Sequence, residues 1–410
     1  MDYISRVADT ELKAALERAG AVLIEGPRAC GKTATSSRLA RSVVRLDTDP
    51  AAAVQIEVDP SLVLEGQAPR LLDEWHIYPV LWNAVRREVD DSTERGRFIL
   101  TGSTAPSSSA IRHSGAGSFA RLRMRTMTMW ESGDSSGQVS LESLMGGEAP
   151  RVAAGTADLN SVLGRIERGG WPGLVGLSSR AVVESLQDYA DIVATVDVDS
   201  AGKVRDPVRV RRLMSALARN VATEAKIATL ARDETSLSRD AVREYLDALS
   251  RIFVLEDQPA WSAHLRSSAT LRREPKRHFC DPSLALALVG GDAAALKRDL
   301  GYAGQLFESL VVHDLRVFSQ SLGGSVFHAR DSVGREVDAI IQLRDGSWGG
   351  FQVKLGASKE TVDAAAHSLL TFARNVDDSS QPVLTVITAT GASYRRQDGV
   401  NVVAISSLGP

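Results

Sequence analysis

The sequence predicts a multidomain α/β protein: a parallel sheet with helices on both faces first, then a helical middle, then a second α/β domain. Three observations carry this. Strand-like and helical runs alternate β-α-β-α-β through residues 21–102, the order of a parallel sheet covered on both sides. Residues 206–258 read as three amphipathic helices and a β-rich hairpin. From residue 301 a long amphipathic helix leads into three strands, a helix and a further strand. At 410 residues the chain exceeds one ordinary core. The expected divisions are 1–135, 136–205 (linker and helical lid), 206–300 and 301–410.

Composition narrows the classes. Apolar residues make up 43% and charged residues 24%, the balance of a soluble globular protein. A net charge of −3 gives no global positive field, so any DNA contact must be local. Two cysteines, Cys30 and Cys280, offer neither a disulfide framework nor zinc spacing, which suits a reducing cytoplasm. The first twenty residues read as an amphipathic helix capped near Asp9, not a signal peptide, and no apolar run approaches a membrane span. Arginine outnumbers lysine 40 to 8, so each lysine in a motif merits attention.

The first element with chemistry is "AVLIEGPRACGKTATSSRLA". A β-rich run, Ala21 to Glu25, enters Gly26-Pro27-Arg28-Ala29-Cys30-Gly31-Lys32-Thr33, and a helix follows. This is G-x-x-x-x-G-K-[ST] in the strand-to-helix setting of a P-loop. Gly26 and Gly31 let backbone N–H groups and the helix N-terminus face phosphates. Lys32 reaches the β- and γ-phosphates of ATP, and Thr33 offers its hydroxyl to Mg²⁺. Cys30 is read as a small side chain that fits.

A P-loop needs a second strand bearing an acid. "PRLLDEWHIYPVLWNAVRREVDD" supplies it: Asp73 to hold Mg²⁺ through water, and Glu74 to polarise the attacking water. A third strand, "RGRFILTGST", ends in Thr101, Ser103 and Thr104. A polar residue at that tip, with Ser103 the candidate, lies where a γ-phosphate is sensed.

These segments, with "RLRMRTMTMWESG", "ERGGWPGLVG" and "YLDALSRIFVLEDQPAW", resemble the AAA-type ATPases of bacteria and archaea that end in a nuclease-like domain of unknown function. The resemblance implies ATP hydrolysis by a homo-oligomer, a ring, in which a neighbouring subunit's arginine completes the site. Candidates in "IRHSGAGSFARLRMR" are Arg112 and Arg121, then Arg123 and Arg125. Ser118 stands where such relatives often carry an arginine.

"ESGDSSGQVSLESLMGGEAPRVAAGTADLN", Glu131 to Asn160, is rich in Gly and Ser and reads as a boundary or flexible crossing. In the third helix of the following module Ser238 is the cap, and Val242, Leu246 and Leu249 share a face. That is a winged-helix pattern. Its presumed recognition helix sets two arginines against Asp240, Glu244 and Asp247, a poor surface for phosphates. A structural or protein-binding role is preferred. The better basic patch is "HLRSSATLRREPKRHF", where Arg272, Arg273, Lys276 and Arg277 either grip a DNA backbone or form a solvated loop.

The last hundred residues resemble the core of the restriction-endonuclease-like superfamily, which places an acid on the first helix, Asp on the second strand and Glu-x-Lys on the third. The matching positions are Glu308, Asp338 and Gln352-Val353-Lys354. Residues i and i+2 of a strand share a face, so Gln352 and Lys354 point together. Mg²⁺ between Asp338 and residue 352 would activate water, and Lys354 would steady developing charge. Gln for Glu removes one negative charge, which Glu336, on the same face as Asp338, could restore. Three readings stand: a conditional nuclease acting on DNA, a nucleic-acid-binding or protein-binding relic, or strands with incidental charges.

Overall fold

The structure is a computed structural model that describes residues 3–103, 117–155, 157–198, 205–233, 237–262, 274–330, 334–376 and 381–410. Arg112, Thr104, Arg272 and Arg273, all singled out above, lie outside the described residues. The chain divides into two compact units, one holding Met1–Thr126 with Thr195–Arg205 and Asp247–Val254, the other the remainder.

In the first unit α1 (Val7–Arg18) leads to β1 (Ala21–Glu25), α2 (Lys32–Leu39), β2 (Ser42–Arg45), α3 (Pro50–Val58), β3 (Arg70–Asp73), α4 (Val80–Asp90), β4 (Phe98–Gly102) and β5 (Phe119–Arg123). The sheet runs β2-β3-β4-β1-β5 with every neighbour parallel. Strand alternation explains the two-sided covering. Ala21 and Leu23 of β1 enter one core with Leu72, Trp75, Trp82, Val85 and Phe98; Val22 and Ile24 enter the opposite one with Leu12, Leu16, Leu71, Ile99 and Leu122. Trp82 stacks on Phe119 with ring centroids 4.2 Å apart. Parallel pairing gathers the strands' C-terminal ends at one edge, with Glu25 beside Gly102 and Asp73 beside Thr101. In open α/β sheets ligands bind at that edge.

The second unit carries a seven-stranded sheet built of β7 (Arg151–Val152), β8 (Ser325–Arg330), β9 (Glu336–Gln342), β10 (Trp348–Lys354), β11 (Val383–Thr388), β12 (Ser393–Arg395) and β13 (Asn401–Ala404), in the order β7-β12-β13-β11-β10-β9-β8. β8, β9 and β10 are antiparallel, and β11 returns parallel to β10 after the helix Lys359–Arg374. The helix-strand-strand-strand-helix-strand order expected from the sequence is present. The helix Leu300–Ser321 buries Leu306, Phe307, Leu310, Val311, Leu315 and Phe318, the positions its periodicity marked.

Two expectations change. Residues 131–160 are not a loose crossing. β6 (Val139–Ser140) pairs with β14 (Leu408–Gly409), β7 pairs with β12, and Ser135 Oγ donates to the Leu408 carbonyl. Small residues here permit close packing against the sheet's far edge. The expected lid, the helices Leu159–Arg168 and Ser179–Ile192, packs on the helix Pro282–Leu288 inside this second unit. The three helices read as a winged helix are present at Pro207–Arg219, Ile227–Asp233 and Arg239–Arg251. Ser238 Oγ accepts from Ala241 N–H, and Val242, Leu246 and Leu249 are buried. The β segment beyond them is tied by isolated bridges, Leu255 to Phe279 and Gln258 to Lys276.

Candidate functional site

At the edge of the first sheet, the loop from Gly26 to Gly31 joins β1 to α2. A Cβ added at Gly26 would stand 2.0 Å from the Met124 carbonyl oxygen, so only glycine fits where the loop passes the end of β5. Ala29 and Gly31 have φ of 61° and 104°, which turns the chain into the helix. Cys30 is fully buried, its Sγ 3.8 Å from the same Met124 oxygen, in keeping with the packing role expected of it. Lys32 is buried, and its Nζ donates to the carbonyls of Gly26 and Pro27, both at 2.9 Å. The ammonium is thus parked along the loop it serves. Arg28 Nη1 donates to Asp197 Oδ1 at 2.8 Å.

Asp73, at the tip of β3, accepts from Thr33 Oγ1 at 2.9 Å and from Thr101 Oγ1 at 2.5 Å through its Oδ1. Hydroxyl and carboxylate oxygens so placed at the head of the P-loop helix are the hard donors Mg²⁺ takes, alongside phosphate and water. They fit that ion. The strand-tip hydroxyl that touches the acid is Thr101; Ser103, the residue expected there, lies one position beyond β4 and is half-buried. Glu74 follows Asp73 with φ 56° and ψ 42°, a left-handed backbone that breaks the strand and separates the two acids. Burial raises the Glu74 carboxyl above its usual range. His76 Nδ1 stands 3.3 Å from Glu74 Oε2, and burial, then Lys32 and Arg28, hold that imidazole down. His76 was missed in the sequence; its signal was the two-residue spacing from Glu74. Arg121 is exposed on the edge strand β5, opposite Leu23, and Arg123 stacks on Phe253 at 4.1 Å.

The second unit brings Glu308, Glu336, Asp338, Gln352 and Lys354 toward one place, and adds Lys276. Lys276 Nζ lies 2.5 Å from Glu308 Oε1, 2.5 Å from Glu336 Oε1 and 3.8 Å from Asp338 Oδ1. The other Asp338 oxygen accepts from Val353 N–H at 2.7 Å and sits 3.6 Å from Lys354 Nζ. Burial works against the Lys276 charge, but Glu308, Asp338 and Glu336 outweigh it and hold the ammonium protonated. Burial and then Asp338 push Glu308 up to about 8. Gln352 is 7% exposed, and its Oε1 is buried with no hydrogen-bond partner among the described residues. Behind the cluster, Gln258 Nε2 donates to the carbonyls of Phe327 and Asp338, and His278 joins Gln258 Oε1 to Ser309 Oγ at 3.1 Å each.

This corrects two expectations. Lys276 and Arg277 are not a DNA-facing patch. The Lys276 side chain is 3% exposed inside the cluster, and Arg277 is buried in ion pairs with Asp257 and Glu274. Nor does Asp338 offer a metal ligand, because both oxygens already face N–H or ammonium groups. Among the described residues no group of three or more His, Cys, Asp and Glu side chains is arranged to hold a metal ion. The donor set around Lys276 does not fit Mg²⁺.

Three stretches of the chain match family models. Residues 18–132 match the AAA domain family, residues 160–295 a domain of unknown function (DUF8612), and residues 303–408 another (DUF4143). Uncharacterized proteins of Mycobacterium bovis and Mycobacterium tuberculosis are each 27% identical over 355 residues, 85% of this chain and 73% of theirs. Among solved structures the chain is similar to the Walker-type ATPase Paby2304 of Pyrococcus abyssi, 12% identical over 70% of this chain and 96% of that one, with a TM-score of 0.42. No described helix is long and apolar enough to cross a membrane. The match of residues 18–132 to the AAA domain family agrees with the parallel sheet and the P-loop pattern of residues 26–33, which together support an AAA-type P-loop ATPase domain in the N-terminal part.

Proposed function

We propose that the protein is an ATP-hydrolysing switch whose C-terminal domain binds a partner protein without cutting nucleic acid. The observation that carries the ATPase reading is the hydrogen-bonded run Thr33–Asp73–Thr101 at the strand tips, with Glu74 next to it. Backbone N–H groups of the loop cradle the phosphates, and Lys32 swings from its two carbonyls to the β- and γ-oxygens. Thr33 and Asp73 are the residues that would hold Mg²⁺, which would supply charge neutralisation to the transferred group. Glu74 takes the proton of the attacking water; its burial raises its basicity. Arg121, exposed on the edge strand, is the arginine we assign to a neighbouring subunit's site in a homo-oligomer.

The test is phosphate release from ATP with Mg²⁺, read beside nucleotide affinity. Glu74→Gln is expected to retain ATP and lose roughly 10²–10⁴-fold in turnover, the contribution of a positioned base. Unchanged turnover would remove Glu74 from that role. Arg121→Ala is expected to lower turnover at saturating ATP with little change in affinity; an equal rate would exclude it.

For the C-terminal domain, the buried Lys276 and Arg277 and the net charge of −3 favour a protein partner over DNA. Duplex and single-stranded DNA are expected to show no salt-steep binding. Affinity falling about 10³-fold or more between 50 and 200 mM salt, the mark of many phosphate contacts, would reinstate DNA.

A further inference from the structure

We propose that the carboxylate cluster of the C-terminal domain is a latent divalent-cation site whose cation is the chain's own Lys276. Glu308, Glu336 and Asp338 come from a helix and a strand, and they converge on one ammonium carried by a third segment. That segment is fixed in place: Lys276 exchanges both backbone hydrogen bonds with Gln258, and Gln258 in turn holds the β9 carbonyl of Asp338. The cation is therefore built in by the fold, not recruited from a mobile surface side chain.

A second observation points to the same site. Gln352 lies on β10 two residues before Lys354, whose ammonium reaches Asp338, so it shares that face of the strand. Its Oε1 is buried yet unpartnered among the described residues. A hard, buried and unpartnered oxygen on the strand face that carries Asp338's ammonium partner is the kind of ligand a divalent cation takes. Lys276 satisfies the charge of the acids but, as a donor already spent on them, leaves that amide oxygen unmatched. The other cations around the cluster, Lys354 at Asp338 and Arg330 Nη2 at 3.1 Å from Glu336 Oε2, remain when Lys276 is removed.

Replacing Lys276 by methionine keeps the volume and removes the charge. In the nucleotide-free full-length protein, Mn²⁺ titration read by electron paramagnetic resonance compares wild type, Asp338→Asn, Lys276→Met and the double variant Lys276→Met/Asp338→Asn. Any Mn²⁺ held at the P-loop is common to all four. Wild type and Asp338→Asn are expected to be indistinguishable, whereas Lys276→Met gains one site, at least about tenfold tighter than anything in the double variant, because affinity follows ligand charge. If wild type binds Mn²⁺ in a manner lost in Asp338→Asn, the cluster takes metal with Lys276 in place and the proposal fails. It also fails if folded Lys276→Met binds no better than its Asp338→Asn partner. Should Lys276→Met not fold, Lys276→Met/Glu308→Gln, with one carboxylate fewer, is read in the same way, and the wild-type comparison decides by itself if neither folds. ATP turnover is unaffected by either result.

Discussion

Alanine at Gly26 is expected to abolish nucleotide binding and to lower the stability of the N-terminal unit by about 3 kcal/mol or more, the scale of a forced backbone clash in a packed interior. The added Cβ would meet the Met124 carbonyl oxygen at 2.0 Å and its carbon at 3.1 Å, both backbone atoms that no rotamer can move away. Met124 cannot yield easily, since its N–H donates to the Glu25 carbonyl at 2.7 Å and so closes the β5 end onto β1. The loop must shift instead. Lys32, held by the carbonyls of Gly26 and Pro27, moves with it, and the backbone cradle is lost. Gly31→Ala makes an informative contrast. There the conflict is a φ of 104°, in the left-handed region, and the expected cost is smaller, about 1–2 kcal/mol. Thermal unfolding and titration with a fluorescent ATP analogue, run on both variants, check the ranking. Equal affinity in Gly26→Ala and wild type would mean the loop does not hold phosphate in the way described.

The N-terminal site was largely legible because a P-loop is a local device. β1 begins and ends where the apolar run Ala21 to Glu25 does, and Thr33 meets Asp73 as a P-loop followed by an acidic strand implies. Choosing the hydroxyl at the tip of β4 required register, which sequence does not carry. Pairing of Asp73 with Thr101 puts that hydroxyl against the acid, and Ser103, two residues on, is past the strand's end. In the C-terminal domain, helical periodicity and strand alternation marked the helix Leu300–Ser321 and β8 to β10, because each buries a continuous apolar face. β7 and β12 are two and three residues long, too short to show a period, and are strands only through pairing, β7 with β12 and β12 also with β13. Lys276 sits in a basic run that reads as solvated. Only the fold reveals that Gln258 pins it to the sheet and that the acids it meets lie on elements far along the chain. Local charge patterning cannot separate a surface lysine from a buried counter-ion, since both look like one letter among basic neighbours.

In metal-free buffer near neutral pH, Lys276→Met is expected to destabilise the C-terminal unit by about 3–5 kcal/mol, the cost of leaving buried charges without their partner. Glu308, Glu336 and Asp338 would then face one another with only Arg330 and Lys354 at the periphery. The deficit should depend on pH in a defined direction. Burial and then the neighbouring Asp338 already raise the Glu308 carboxyl above its ordinary range with Lys276 present. Losing the ammonium raises it further, and raises Glu336 with it, since Lys276 holds both down. A carboxyl whose folded pKa lies above its unfolded one binds more protons when folded, so stability falls as pH climbs from the unfolded value through the folded one. The variant should therefore stand close to wild type near pH 5 and fall away toward pH 8 and above. Urea unfolding at pH 5, 7 and 8.5 measures this. A Lys276→Met/Glu308→Gln variant should recover part of the loss, and most of it at the highest pH, because it removes one of the groups that must otherwise ionise. A deficit that is the same at pH 5 and 8.5 would indicate lost packing of the lysine stem, and would take away the role of Lys276 as the counter-ion of the cluster.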